Sequence, residues 1–341
     1  MKYLLLLLSL SSMVWSSDYV NILVYHHVSE NTPASTSISP ERFKAHLQLF
    51  KDEGFTVIDL NEAIKALQNH ETLPDHSIAI TFDDGYHDIY ENAYPLLKEF
   101  DYPFTLFVAT DPIDDHYSDM LNWDQLREMQ NNGVIIANHS ADHDYLVRHR
   151  KHDSAWQQAT QANIIKAQQR LNAELDNNVP NWFAYPYGEF SEGLTTLLKD
   201  MNFIGFAQHS GGAWSGSNWQ ALPRFAAAGI YANPKTLLTK IKSHPMPVNE
   251  SLLADMLTSE SQPILNASLL TTEDQSKALN CFVNGGWTEP SRPAPDEFQL
   301  QSNEPLAQGR HRYNCTAKSL SGDYYYWFSK PWLIYSITDQ R

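Results

Sequence analysis

Short apolar runs alternate with longer amphipathic segments along residues 20–244. Runs of this length, bounded by polar residues, predict buried strands, and they fall at 21–25, 55–58, 77–82, 104–109, 134–137, 182–185 and 203–207. The segments between and after them predict helices, at 40–54, 61–69, 88–100, 122–131, 154–175, 191–201 and 234–243. Strands that alternate with helices are typical of a parallel sheet with helices on its outside.

The positions of the reactive side chains favour a closed barrel over an open doubly wound sheet. Four polar clusters follow the C-terminal ends of predicted strands, at 83–85, 139–143, 186–188 and 209–212. A β/α barrel builds its active site from the loops on that face. The glycine signature of an open dinucleotide-binding sheet does not follow the first strand. We therefore predict an α/β protein whose residues 20–244 form a barrel.

Two adjacent aspartates, Asp83 and Asp84, follow the strand at 77–82 and precede Gly85. Because successive side chains of a strand point in opposite directions, a turn at this point can aim one carboxylate at a metal ion and leave the other for proton transfer. Gly85 permits the sharp turn. Taken alone, these three residues are better explained as a turn with two solvated acids.

His139 and His143 lie four positions apart, about one helical turn, so that both imidazoles can face one side. Two histidines and one carboxylate, with water in the remaining positions, form a recognised catalytic metal site. In a chain with 14 histidines this spacing is a weak signal by itself. Combined with an aspartate pair at an equivalent strand end, it predicts a metal site.

The two clusters together resemble the motifs of a known family. Thr-Phe-Asp-Asp-Gly at 81–85, followed by His-Ser-x-x-His at 139–143, is similar to the polysaccharide deacetylases, the carbohydrate esterases with a NodB homology domain. The resemblance covers roughly 20–244, about two thirds of the chain. It implies a distorted (β/α)7 barrel and a divalent metal ion, usually zinc.

The resemblance also implies roles for single residues. Asp84, His139 and His143 would bind the metal, and Asp83 would be the general base that activates the attacking water. The backbone N–H of Tyr187, in a Pro-Tyr-Gly segment, would help to hold the developing oxyanion. The reaction implied is hydrolysis of N-acetyl groups of a polysaccharide, with release of acetate.

The third motif of the family is incomplete in this chain. The family has an arginine shortly before Pro-Tyr that steadies the catalytic aspartate, whereas the segment 183–188 contains none. Arg224, in a Leu-Pro-Arg-Phe segment, follows the strand that precedes His209. We predict that its guanidinium contacts the Asp83 carboxylate, and a purely structural salt bridge is the alternative.

The segment 183–188, the Leu-Val-Tyr-His-His at 23–27 and the Ser-Gly before Leu-Pro-Arg resemble one branch of the family. That branch contains the poly-β-1,6-N-acetylglucosamine N-deacetylases of bacterial biofilms. A peptidoglycan- or chitin-type deacetylase and an O-acetyl esterase remain alternatives. An inactive sugar-binding barrel is the alternative from another class, and the retention of Asp83, Asp84, His139 and His143 argues against it.

Three histidines compete for the role of general acid, which the family usually assigns to a late histidine. His244 lies after the last predicted helix, but the usual Leu-x-His pattern is absent there. His26 follows the first strand, and His209 follows the strand at 203–207. We assign the acid to His209 because of this position, and each of the three is also compatible with a structural role.

Composition changes beyond residue 245, where polar residues and proline dominate and aromatic residues cluster after residue 309. We predict a small β-rich domain at 245–341, whose aromatic residues form its own core or stack on sugar rings. Cys281 and Cys315 both lie in this region. They predict a disulfide in an exported protein, and two buried thiols are the alternative.

The net charge of −16 argues against nucleic acid as a partner, because phosphates require Lys and Arg. Lys2, the apolar run 4–10 and small residues near 16 predict a signal peptide at 1–16 and an exported protein, periplasmic or secreted. An uncleaved anchor is the alternative. Since no run approaches about 20 apolar residues, we expect no stable membrane insertion. The expected partner is a polysaccharide.

Overall fold

The computed structural model describes residues 16–148, 151–176 and 179–335, without the side chains of 275–277. The predicted signal peptide lies outside these residues, apart from Ser16 at its end. Within the described residues, no helix is both long and apolar enough to span a membrane.

Helices occur where the polar and apolar pattern predicts them. Ser39 caps the first helix by accepting a hydrogen bond from the Arg42 N–H, and Asn122 forms a capping box with Gln125. A π-helical turn at Ile89–Ala93 precedes the third helix, and the short fourth helix was not predicted. The helices are α1 (Pro40–Asp52), α2 (Leu60–Gln68), α3 (Tyr94–Phe100), α4 (Thr110–Asp114), α5 (Trp123–Asn131), α6 (Ser154–Glu174), α7 (Glu192–Asp200) and α8 (Pro234–Ile241).

The strands of the N-terminal part form one large sheet and two small ones. Seven of them run parallel in the order β13-β2-β7-β8-β9-β10-β11. The strands are β1 (Ser16–Ser17), β2 (Tyr19–Tyr25), β3 (His27–Val28), β4 (Ser37–Ile38), β5 (Thr56–Val57), β6 (Leu73–Pro74), β7 (Ser77–Phe82), β8 (Phe104–Val108), β9 (Ile135–Asn138), β10 (Trp182–Ala184), β11 (Ile204–Phe206), β12 (Ala213–Trp214) and β13 (Phe225–Ala226).

The segment 222–226 joins the two ends of the parallel sheet. Leu222 bridges to Phe206 of β11 in parallel, and Phe225 of β13 pairs with Leu23 of β2. The sheet therefore curls into a distorted (β/α)7 barrel, which confirms the predicted fold class. Parallel sheets of this kind are covered on both faces, and β2, β7 and β8 are buried along their whole length.

One predicted strand is not a strand of the barrel. The run 55–58 forms only the two-residue strand β5, which pairs with the first residues of β7. Beyond its first two residues β7 is paired with β2 on one side and β8 on the other, so β5 cannot extend along it. The seventh barrel strand is instead β13, which was not predicted because its extended segment is too short to give a periodic signal.

Residues after 243 form a second, entirely β-rich layer. A six-stranded sheet has the order β14-β21-β20-β17-β18, with β15 also paired to β21, and the β16-β19 pair packs over it through a shared core. Its exact boundary as a separate domain, 245–341, stays a prediction. The strands are β14 (His244–Pro245), β15 (Leu257–Thr258), β16 (Ile264–Ser268), β17 (Gln275–Val283), β18 (Gly286–Thr288), β19 (Glu297–Gln301), β20 (Gly309–Ser319) and β21 (Tyr325–Ile334).

Three of the clustered aromatic residues, Tyr313, Phe328 and Trp332, belong to the buried core of this layer. Tyr313 and Trp332 are buried and meet edge to face, with ring centroids 5.8 Å apart. Cys281 and Cys315 face each other across β17 and β20 and form a disulfide, as predicted. The bond lies inside the same apolar cluster, so it links the two central strands where they are most buried.

We expect the disulfide to be a main source of stability for this layer. Replacing Cys281 and Cys315 together by Ala should lower the free energy of unfolding by about 2–4 kcal/mol, because a closed loop of 34 residues restricts the unfolded chain. Chemical unfolding under oxidising conditions measures the difference. A reductant should lower the stability of the wild type and leave the double variant unchanged, and a wild type insensitive to reductant would contradict the expectation.

Candidate active site

The alternation of side chains along the barrel strands determines which residues reach the barrel interior. On β2, Val20 and Ile22 belong to an apolar cluster built mainly from strand residues, whereas Leu23 and Tyr25 belong to the cluster shared with the outer helices. The side chains of Val20 and Ile22 face the barrel interior, and continuing this inward series of every second residue past the end of β2 leads to His26. The same count leads from Ala79 to Asp83, from Ala137 to His139 and from Phe206 to Gln208.

Asp83 forms a buried ion pair with Arg224. The guanidinium donates from Nη1 to Oδ1 at 2.7 Å and from Nη2 to Oδ2 at 2.8 Å, and both side chains are fully buried. Arg224 also donates to the Ala207 carbonyl and to the Thr81 hydroxyl, at 2.8 and 3.2 Å. The predicted contact is therefore confirmed, and the arginine missing before Pro186 is replaced by one from a different part of the chain.

The pKa of Asp83 reflects two opposing effects. Burial alone would raise the pKa of this carboxyl, but the charge and the hydrogen bonds of Arg224 outweigh it, and the net pKa lies below its ordinary value. An opposite charge at hydrogen-bond distance favours the ionised form of an aspartate. Asp83 is thus held as a carboxylate with a fixed direction.

Asp84, His139 and His143 converge beside this ion pair. Oδ1 of Asp84 lies 3.0 Å from Nε2 of His139 and 3.0 Å from Nε2 of His143. One ligand atom from each residue lies within 4.8 Å of the others. Two imidazoles and one carboxylate make up a ligand set that zinc and similar divalent metals accept.

The hydrogen bonds around His139 show that this cluster fits a cation. Nδ1 of His139 lies 2.8 Å from the Ala184 carbonyl, which can only accept, so the ring proton sits on Nδ1. A neutral ring then directs the Nε2 lone pair at the carboxylate oxygen of Asp84. Two acceptors at 3.0 Å repel each other unless a cation lies between them or the ring becomes protonated, so the residues present fit a divalent metal.

The histidine pair does not converge by helical geometry, as its spacing suggested. Residues 139–143 are irregular, and Ser140 and His143 adopt left-handed backbone conformations with φ of 70° and 56°. Asp84 is also left-handed, with φ of 76°, and Gly85 follows with φ of 91°. Several strained positions next to one another are typical of functional sites. A side chain at position 85 would meet the Val108 side chain at 2.9 Å, so glycine is required there.

Tyr187 closes one side of the cluster. Its backbone is left-handed, with φ of 59°, in the turn Pro186–Gly188. Its ring lies 4.7 Å from that of His143 and stacks on Tyr145 at 3.9 Å, measured between centroids. Within the described residues, the Tyr187 N–H forms no hydrogen bond, which leaves it available as a donor.

His26 and Gln208 approach Asp83 from the barrel interior. Nε2 of Gln208 donates to Oδ2 of Asp83 at 3.2 Å and lies 3.4 Å from Nε2 of His26. Burial lowers the pKa of His26, while the charges of Asp84 and Asp83 act in the opposite direction. Sequence reasoning did not select Gln208, although the inward series of β11 leads to it.

His209 lies next to Gln208 but forms no hydrogen bond with Asp83 or Asp84 in the described part of the chain, and its buried Nδ1 has no partner there. Its ring centroid lies 6.2 Å from that of Phe190, and the residue borders the same cavity as Gln208 and Tyr187. Burial, together with the nearby charges of Lys330 and Arg312, lowers its pKa to about 3. The role of general acid for His209 stays a prediction, and this environment does not favour it.

His244 lies at the opposite end of the barrel. It stacks on Tyr324 at 3.6 Å between centroids and contacts Tyr19, the first residue of β2. At about 3.3 Å per residue β2 is roughly 20 Å long. His244 lies at its N-terminal end, whereas Asp83 and Asp84 lie beyond its C-terminal end. Of the three candidate acids, His26 is therefore the one that the fold brings to the two aspartates.

Comparisons with known proteins agree with this arrangement. Residues 70–206 match the model of the polysaccharide deacetylase family. The poly-β-1,6-N-acetyl-D-glucosamine N-deacetylase of Staphylococcus aureus is 27% identical over 219 residues, which cover 62% of this chain and 74% of that protein.

Solved structures of similar fold include the Streptococcus pyogenes deacetylase PplD in complex with acetate, with a TM-score of 0.59 and 25% identity. The match covers 65% of this chain and 98% of that one. The structure of IcaB from Ammonifex degensii has a TM-score of 0.59 at 22% identity, covering 67% and 98% of the two chains. The motif match and the barrel agree: residues 70–206 are similar in sequence to the polysaccharide deacetylase family, and the barrel is similar in fold to solved deacetylases.

Proposed function

We propose that this protein hydrolyses N-acetyl groups of an N-acetylglucosamine polysaccharide and releases acetate. The observation that carries the proposal is the different environment of two adjacent aspartates. Asp83 pairs with Arg224, and Asp84 pairs with His139 and His143. One carboxylate is thereby available for proton transfer while its neighbour belongs to a metal-ligand set, a division of roles that suits metal-assisted amide hydrolysis.

We further propose that Asp84, His139 and His143 hold a divalent metal ion, with zinc as the expected metal. Such a metal supplies Lewis-acid polarisation of the acetyl carbonyl and lowers the pKa of a coordinated water. The Nδ1 hydrogen bond from His139 to Ala184 keeps that ring oriented. Comparable outer contacts fix metal-binding histidines in other proteins.

The remaining steps belong to side chains and backbone of the chain itself. Asp83 accepts the proton of the water that attacks the acetyl carbon, and Arg224 keeps it ionised for that purpose. The N–H of Tyr187 donates to the carbonyl oxygen as it becomes negative. When the C–N bond breaks, an acid must protonate the departing amine, so that acetate and a free amino sugar are formed.

We propose His26 as that acid. An acid must carry a proton when the C–N bond breaks. Burial lowers the pKa of His26 overall, but the carboxylates of Asp84 and Asp83 lie near enough to oppose that shift. His209 has cations among its nearest charges instead. The hydrogen-bond distance between His26 and Gln208, which itself contacts Asp83, supports a position near the reacting bond.

The proposed substrate linkage and cellular compartment rest on two separate observations. Because the Staphylococcus aureus relative is a poly-β-1,6-N-acetyl-D-glucosamine N-deacetylase, we propose β-1,6 linkage for this substrate too. The disulfide between Cys281 and Cys315 supports an oxidising compartment and therefore export.

Acetate release from β-1,6-linked N-acetylglucosamine oligomers tests the activity, with the aspartate variants as internal controls. Asp83→Asn should lower kcat at least about 100-fold and retain the metal, because the base is lost and the ligands remain. Asp84→Asn should lose both activity and metal. Enzymatic acetate assay and elemental analysis of the same samples measure the two quantities.

Three outcomes would contradict this proposal. Equal metal loss in both variants would exclude the division of roles. Faster acetate release from β-1,4 than from β-1,6 oligomers would exclude the proposed linkage. Oligomer binding by the metal-loaded wild type without acetate release would identify a sugar-binding protein.

Arg224→Met should shift the acidic limb of the pH–rate profile upward. Burial raises the pKa of Asp83 and Arg224 lowers it, so removal of Arg224 leaves the raising effect. Asp83 then ionises only at higher pH, by about 1–3 pH units. The profile of kcat/KM between pH 4 and 9 measures the shift, with circular dichroism to verify folding.

Arg224→Lys is the matched variant for this experiment. A lysine keeps the charge but cannot form the two parallel hydrogen bonds, so its acidic limb should lie between those of the wild type and Arg224→Met. An acidic limb that stays in place in the Met variant would show that Arg224 does not control Asp83.

His26→Ala and His209→Ala should separate the two candidate acids. Loss of the acid lowers kcat by about 10²–10⁴-fold, and we expect that loss for His26 only. A substrate with a good leaving group, such as an aryl acetate, needs less protonation and should restore activity to His26→Ala. A large loss in His209→Ala with little effect in His26→Ala would reverse the assignment.

A further inference from the structure

A cavity of about 680 Å³ lies between the top of the barrel and the C-terminal sheet. Its wall on the barrel side includes Tyr187 and Gln208, which also border the candidate active site. The cavity therefore adjoins the candidate active site. Its opposite wall is built by strands that the family motifs do not include.

The alternation along β20 determines what this strand presents to the cavity. Tyr313 and Cys315 point into the core of the C-terminal layer. Arg310, Arg312 and Asn314 lie on the other face and line the cavity. The strand thus places two guanidinium groups in a wall that adjoins the active site.

The two arginines have different partners. Arg310 donates from Nη1 to the Tyr187 carbonyl at 2.7 Å, and its Nε lies 3.5 Å from Glu189. Arg312 is half-buried, and within the described residues its side chain has neither an ion pair nor a hydrogen bond. A guanidinium that is partly removed from water without an anion is destabilised, so a ligand that supplies the anion would be favoured.

The rest of the described cavity lining also lacks negatively charged side chains. In a chain with 40 acidic residues, no aspartate or glutamate lines the described part of this cavity. Lys240 contributes a further cation over the Tyr231 ring, 4.3 Å from its centroid. Trp327 adds a buried indole N–H without a hydrogen-bond partner among the described residues. Among the charged groups of the described lining there are therefore three cations and no carboxylate.

Burial lowers the pKa values of two of these cations, as expected when no anion lies nearby. Desolvation lowers the pKa of Lys240 to about 8 and also lowers the pKa of Arg312. An anion bound nearby would raise both pKa values again. A protonated amino sugar, by contrast, would be repelled by the same cations.

We propose that this cavity binds an acidic substituent, a carboxylate or a phosphate, on a sugar next to the one that is deacetylated, with Arg312 as its main partner. The inference rests on the proposed function and narrows its substrate class from a neutral polymer to an acidic one. Arginine forms two parallel hydrogen bonds with either anion.

Matched oligomers test the proposal. The probes are β-1,6-linked N-acetylglucosamine oligomers that are unmodified, O-succinylated or O-phosphorylated. We expect the wild type to prefer an acidic oligomer by about tenfold in kcat/KM, as one charge-assisted hydrogen-bonded pair provides. In Arg312→Met this ratio should fall to about one. The better of the two acidic probes identifies the anion.

Lys318→Met is the control, because Lys318 is an exposed cation on the same strand outside the cavity. It should keep the preference, which separates a local contact from the general loss of one positive charge. No preference in the wild type, or an unchanged preference in Arg312→Met, would overturn the inference.

Binding measurements keep the inference separate from the proposed reaction. If no oligomer releases acetate, the proposed function fails, and calorimetric binding to Asp83→Asn then decides the inference. Tighter binding of an acidic than of a neutral oligomer, lost on adding Arg312→Met, would support the acidic site. Equal affinities would refute it.

Discussion

The buried pair of Arg224 and Asp83 is the interaction on which the site depends. Burying two charges is costly unless their hydrogen bonds are satisfied, and here Arg224 is also bound to Thr81 and to the Ala207 carbonyl. Arg224 belongs to the segment 222–226 that closes the barrel, whereas Asp83 extends β7. The same contact therefore ties the closing segment to β7 and orients the Asp83 carboxylate. Losing either partner would leave an unpaired buried charge, at a cost of about 3–5 kcal/mol of folding free energy.

Two neighbouring carboxylates acquire different properties because their backbone conformations differ. Asp83 continues the inward series of β7 and meets Arg224, while Asp84 turns out of the strand with a positive φ and meets two histidines. Without this turn Asp84 would point to the opposite side of the strand from Asp83, away from the barrel interior. The strain at Asp84 and Gly85 is the structural cost of that separation.

The C-terminal layer takes part in the architecture of the site. Arg310 of β20 binds the carbonyl of Tyr187, and Glu189 lies between Arg310 and Arg148. The turn that carries the Tyr187 N–H is therefore braced from outside the barrel. The same strand places Arg312 in the cavity beside the active site. One strand therefore both holds the Tyr187 turn in position and supplies the positive charge next to it.

Much of the barrel and of its motifs could be read from the sequence. Local periodicity identified six of the seven barrel strands and most helices, because apolar spacing and capping residues act within a few positions. The Asp-Asp-Gly and His-x-x-x-His clusters were recognisable because both follow strand ends. Strict counting of alternate residues would also have favoured Gln208 over His209.

The sequence by itself determined the alternating strands and helices, the paired motifs and the two cysteines that bond. Only the tertiary structure decided that residues 222–226 close the barrel, that His26 rather than His244 lies near Asp83, and that Arg312 is half-buried without a side-chain partner among the described residues. The physical reason is that these contacts join residues far apart in the chain, 141 positions for Arg224 and Asp83. Local sequence patterns do not specify such long-range contacts, which form only when the sheet closes into a barrel and the C-terminal layer packs against it.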